Sequence, residues 1–150
     1  ALWELGRPNY SIIGEKDSAY LNWRYASCKT EQYMFHCLID KESKGLKGYL
    51  VYSIRNNIAT VSDLFALNKK EIIYLLCDFI AKMRKVGVSS ISVTFLENEL
   101  FEEIIKPLNF FKRATKRTCA IFLEDSRLEE ERKFILNKKN WFLFEGEMDL

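Results

Sequence analysis

Glycine and proline are scarce in this chain, with 6 and 2 among 150 residues. That scarcity excludes a collagen-like chain, a flexible linker protein and a low-complexity tail. No two glycines lie closer than Gly45 and Gly48, so neither G-x-G-x-x-G nor the Walker pattern occurs. His36 is the only histidine, so a histidine-based metal site is not expected and a Ser-His-Asp triad would have one candidate base. It stands between Phe35 and Cys37 in an apolar run, where a structural role is expected. The four cysteines, at 28, 37, 77 and 119, form no C-x-x-C pair and read as free thiols of a reducing, cytoplasmic compartment. Cys77 is expected on the apolar side of a helix. No run of 18 apolar residues exists, so no membrane span is expected, and no signal peptide is expected either.

A charge excess is also missing: 23 basic and 21 acidic residues leave a net +2. That balance creates no large field of either sign, so nucleic acid is not an expected partner. The densest basic cluster, Lys112, Arg113, Lys116 and Arg117, reads as a solvated loop and strand edge. The length fits one domain, large enough to be stable without staples. Residues 1–16 carry Gly6-Arg7-Pro8 and Gly14 and read as an irregular lead-in. With Ala1 in place of Met, they suggest a C-terminal fragment of a longer protein.

What the chain does have is apolar bulk. Hydrophobic residues make up 48% and aromatics 14%. Such aromatics fill a core or line a groove. Asp17 or Ser18 can cap a helix through Ala26, placing Tyr20, Trp23 and Arg24 on one face. Three strand-like runs follow, 32–39, 46–54 and 58–65, the middle one apolar on both faces and therefore central. Asn56-Asn57 marks a tight hairpin between the last two, so the three form an antiparallel meander. Asn68 caps a helix over 69–86, with Ile72, Leu76, Phe79, Ile80 and Met83 in an apolar stripe and Gly87 closing it. The alternation over 88–96 then predicts a strand parallel to the third, reached by a right-handed crossover. A helix over 98–106 ends at Pro107, and 118–123 reads as a strand. Ser126-x-x-Glu129 opens a further helix through about Asn137, and 141–144 closes the chain as a strand. The expected fold is α/β: a mixed sheet with helices on both faces.

This order resembles the GNAT superfamily of N-acyltransferases over residues 17–145. The segments Asp17 to Tyr25, Asp63-Leu-Phe-Ala-Leu67 and Trp141 to Gly146 are similar to those of GNAT-like proteins of bacterial polysaccharide and cell-envelope pathways. The resemblance implies acetyl-coenzyme A lying between two splayed parallel strands, here 58–65 and 89–96. It implies coenzyme contacts from Leu64, Phe65, Ala66, Leu67, Asn68, Lys69 and Lys70, with the oxyanion donor at the backbone near Phe65. A helix N-terminus such as 67–71 can hold a pyrophosphate in its own right, or be an ordinary capped end. The family's glycine-containing pyrophosphate loop is replaced by Ala66-Leu67-Asn68-Lys69-Lys70-Glu71, which has none. The second signature matches at Asn98, a further coenzyme candidate, and at Phe110. It departs at Ile105, where the thiolate-protonating Tyr would stand, and at Asn109 in place of Gly. Ile105 has no hydroxyl and cannot act as a general acid.

Acyl transfer to an amine needs a base. Asp63 and Glu97 are the candidates, each with a plainer reading as a strand-end or helix-start carboxylate. Tyr20, Trp23 and Arg24, with Tyr52 of the central run, form a candidate acceptor wall for a small-molecule or sugar-linked amine. The plainer reading is that Tyr20 and Trp23 pack the helix onto the sheet, with Arg24 paired to a local acid. Three functions compete: an acyl-coenzyme A-dependent N-acyltransferase, a degenerate GNAT-like binding or scaffold module of a larger protein, and half of a Fem-like aminoacyl-tRNA-dependent transferase. In the last two, an N-terminal domain of the same polypeptide is an expected partner. An unfilled gap between 58–65 and 89–96 favours the enzyme, and a plugged one the module.

Overall fold

The structure, a computed structural model, describes residues 1–113, 120–123 and 128–147. Its centre is a four-stranded mixed sheet built from β2 (Met34–Ile39), β3 (Leu46–Arg55), β4 (Ile58–Ala66) and β5 (Ser90–Val93), in that spatial order. β2, β3 and β4 form the antiparallel meander, and β5 runs parallel to β4. Asn56 and Asn57 both take positive φ, as a two-residue hairpin requires.

Between β4 and β5 lies α3 (Lys69–Val86). The Asn68 side chain accepts from Lys70 and Glu71 N–H groups at its start, and Gly87 at φ 85 ends it in the left-handed region. Ile72, Leu75, Leu76, Phe79 and Met83 bury its apolar face on Leu50, Tyr52, Leu64 and Ala66 of the sheet. Ile80 is only half-buried and Leu75 takes its expected place in the stripe; Cys77 is exposed, not on the apolar side. His36 is structural as expected: it lies under α3, where Nε2 is 2.9 Å from Asp78.

The opposite face carries Tyr49, Val51 and Phe65, covered by the N-terminal segment. That segment is not irregular. It forms α1 (Leu2–Gly6), a 3-10 turn over Arg7–Asn9 and β1 (Ile12–Ile13). Apolar Leu2 and Trp3 pack on the Phe65 side of the sheet, so tertiary burial orders a stretch whose helix has no side-chain cap. Asp17 then caps α2 (Ser18–Leu21), which widens into a π-helical turn over Asn22–Ala26.

After β5 come α4 (Glu99–Ile105), capped by Asn98, then α5 (Glu129–Leu136) and β6 (Trp141–Phe142). β6 pairs in parallel with β1, so the two ends of the chain lie side by side. The expected strand over 118–123 lies partly outside the described residues, and 120–123 are not strand. Ser126, Lys116, Arg117 and Cys119 lie outside the described residues. Cys28, Cys37 and Cys77 are free thiols. No helix among the described residues is long and apolar enough to cross a membrane.

Candidate functional site: a slot beside β4

β4 changes face partway along. Ala59 and Val61 point into the α3 core, and so do Leu64 and Ala66. The parity switch is a β-bulge at Ser62: Val51 pairs with Asp63, but Tyr52 pairs with Val61. The extra residue turns Asp63 and Phe65 to the other face, which is what bulges beside sites do.

The bulge is also where β4 and β5 part. Their pairing runs from Ile58 with Ser90 to Val61 with Val93 and stops. Beyond it, Leu96 N–H donates to the Leu143 carbonyl, Glu145 N–H donates to the Thr94 carbonyl, and Phe95 bridges Phe144. The strand expected over 88–96 is therefore short, because residues after Val93 leave β4 for the closing segment. This divergence creates the slot in which the expected coenzyme would lie.

The slot is filled by the chain itself. Gly146 sits so close to β4 that a Cβ there would lie 2.7 Å from the Ser62 carbonyl oxygen and 2.1 Å from the Tyr25 hydroxyl. Phe142 and Phe144 are buried beside it. On the outer side, the Tyr10 hydroxyl donates to the Ala66 carbonyl at 2.6 Å and Asn9 Nδ2 to the Leu67 carbonyl at 2.7 Å.

At the bottom, Lys16 is completely buried. Its Nζ lies 2.5 Å from Asp63 Oδ1 and 2.9 Å from Glu147 Oε2. Asp63 also accepts from the Leu64 N–H at 2.8 Å and the Tyr49 hydroxyl at 3.3 Å; Glu147 accepts from the Phe144 N–H at 2.9 Å. Burial presses Lys16 toward neutrality, but the two carboxylates overcome it and hold its pKa above the ordinary lysine value. Burial lifts the Glu147 carboxyl above the usual range, against the pull of Lys16. The Tyr49 and Tyr25 hydroxyls are pushed up by burial and by the nearby Asp63 charge. Both hydroxyls therefore stay protonated at neutral pH.

Several expected site residues are placed otherwise. Asp63 does reach the slot, but as the buried partner of Lys16 rather than an accessible base. Glu97 stays at the surface, 2.7 Å from Lys138, which with its hydrogen bond holds the carboxyl below the usual range. It is a poor proton acceptor there. Tyr52 is a core residue, 3% exposed, with its ring edge-on to Phe79 on the α3 side. It cannot touch an acceptor. Of the acceptor wall, Tyr20 flanks Tyr25, while Trp23 is 71% exposed. Arg24 Nε donates to the Gly146 carbonyl at 2.7 Å, so it anchors the closing segment rather than a bound carboxylate.

The expected coenzyme residues are occupied by structural work. Leu64, Phe65 and Ala66 are fully buried. Asn68 Oδ1 accepts from the Lys70 and Glu71 N–H groups at the α3 start. Lys69 pairs with Glu103 at 2.7 Å, and Lys70 lies over the Tyr74 ring. Asn98 staples α4 to the closing segment: its Oδ1 accepts from Phe101, and its Nδ2 donates to the Lys139 and Trp141 carbonyls. Lys16, Gly146 and Glu147 were not singled out by sequence, since an isolated Gly-Glu-Lys-Asp or Glu-Gly-Glu reads as solvated. No protein-family model matches the chain, and no curated protein matches it significantly. Among the described residues no group of His, Cys, Asp and Glu could hold a metal ion.

Proposed function

We propose that this chain is a GNAT-like module without acyl-transfer activity of its own, a binding or scaffold half of a larger protein. The observation that carries this reading is the slot beside β4, filled by Lys16, Gly146, Phe142 and Phe144. The meander, the long crossover helix and the parting of β4 from β5 support the GNAT-like part. An N-acyltransferase passing acetyl from acetyl-coenzyme A to a small-molecule or sugar-linked amine needs room for the thioester between those strands. It also needs a base that the amine can reach. Asp63 is sealed under Lys16, and the Lys70 and Glu71 N–H groups at the α3 start already bond Asn68.

Calorimetric titration with acetyl-coenzyme A to about millimolar concentration, where a weak site still shows, is expected to give no binding heat. No thermal shift should accompany it. Binding together with turnover of any amine, lost in Asp63→Asn, would overturn the module reading and restore the N-acetyltransferase.

A further inference from the structure

A cleft of about 310 Å³ lies on the outer side of the plug, between the N-terminal segment, the start of α4 and the turn before β6. Its floor is the contact between the Tyr10 and Phe142 rings, 4.5 Å apart. Four of the nine asparagines in the chain, at 9, 98, 137 and 140, line it. We propose that this cleft binds a neutral sugar residue, an assignment that stands whether or not the slot beside β4 ever takes a coenzyme.

The argument starts from how each amide is held. Asn98 spends both ends on backbone and fixes the wall. Among the described residues, the other three are each tied at one end only. Asn9 Nδ2 donates to the Leu67 carbonyl, Asn140 Nδ2 donates to the Phe134 carbonyl at 2.8 Å, and Asn137 Oδ1 accepts from the Lys139 N–H at 3.2 Å. That leaves the Oδ1 atoms of Asn9 and Asn140 as acceptors and the Nδ2 of Asn137 as a donor. Each is already oriented by its other end, so little side-chain entropy is lost on binding. A set of mixed donors and acceptors matches hydroxyl groups, which donate and accept at once.

Charge narrows the class. The one cation lining the cleft among the described residues, Lys139, is paired with Glu99, which also lines it. The pair cancels, so nothing there draws a phosphate or a carboxylate. The volume stands at the small end of ligand sites, which suits one ring rather than a long chain.

The test follows the side-chain amides of the labelled protein in nitrogen–proton correlation spectra during titration with N-acetylglucosamine. The Asn137 and Asn140 amide signals should move saturably. In Asn137→Asp the carboxylate oxygen can still accept from Lys139, so the turn and the melting temperature hold, but the donor is gone. Affinity should fall about tenfold, the worth of one hydrogen bond to a site built for it. Absence of any shift at about 100 mM sugar, a level that detects very weak sites, overturns the proposal. So do equal shifts with glycerol, unchanged affinity in Asn137→Asp, or a response to adenosine with none to the sugar.

Discussion

Replacing Lys16 with Met should cost about 3–5 kcal/mol of stability, the typical loss when one partner of a buried ion pair is removed. Methionine fills nearly the same volume, so the loss is electrostatic. It leaves Asp63 and Glu147, both buried, facing each other without their shared cation. Urea unfolding should show the midpoint falling while the slope stays near that of the wild type. The double variant Lys16→Met/Asp63→Asn removes one of the stranded charges and should recover part of the loss. If Lys16→Met is as stable as the wild type, the triad does not hold the slot closed.

The same triad sets a pH dependence. The Lys16 pKa is raised on folding, so its contribution is fully present below the unfolded lysine value of about 10.4 and is lost as pH climbs through the folded one. Wild-type stability should therefore decline on the alkaline side. Lys16→Met should lack that limb and gain stability as pH falls, because protonating either stranded carboxyl relieves the repulsion.

Gly146→Ala should be the second severe change, at about 2–3 kcal/mol, because overpacking against backbone cannot relax by a rotamer change. The new methyl meets the Ser62 carbonyl at 2.7 Å and the Tyr25 hydroxyl at 2.1 Å. These two contacts separate in a mutant cycle. Tyr25 hydroxyl is buried near Tyr20 but outside hydrogen-bonding geometry, so Tyr25→Phe alone should be neutral or slightly stabilising. Gly146→Ala in the Tyr25→Phe background should be milder than in the wild type, yet still destabilising, because the Ser62 carbonyl remains. Simple additivity of the two changes in thermal unfolding would contradict the close packing of this segment on β4.

The elements that could be read from sequence are those whose signals are local. Asn68, the apolar stripe and Gly87 lie within one helix and gave α3 its bounds; Asn56-Asn57 did the same for the hairpin. The meander, the parallel crossover and the helix capped by Asn98 follow from such signals too. The site resisted the same treatment because it has no local pattern. Lys16, Asp63 and Glu147 are far apart in sequence, and Lys16 and Glu147 alone resemble solvated charges. Asp63 is legible as a strand-end carboxylate in an apolar run, but not its partner. The bulge at Ser62 was also hidden: Ser62 and Asp63 stand side by side in an otherwise apolar run that reads as one unbroken strand. Tyr52 was misplaced because a central strand buries both faces, and alternation alone does not say which face meets a helix.

The pairing of β1 with β6 has a consequence for the order of folding. Contacts within β2, β3, β4 and α3 join neighbours in sequence, so their loop-closure cost is small. Joining Lys16 to Glu147 closes nearly the whole chain and gains little until the sheet exists to receive it. The closing segments should therefore dock last and open first, as a separate cooperative unit of lower stability. Hydrogen exchange is expected to release the Phe144 amide, held by Glu147, well before the amides at the centre of β3. Equal protection at both places would mean that the chain ends and the sheet unfold as one.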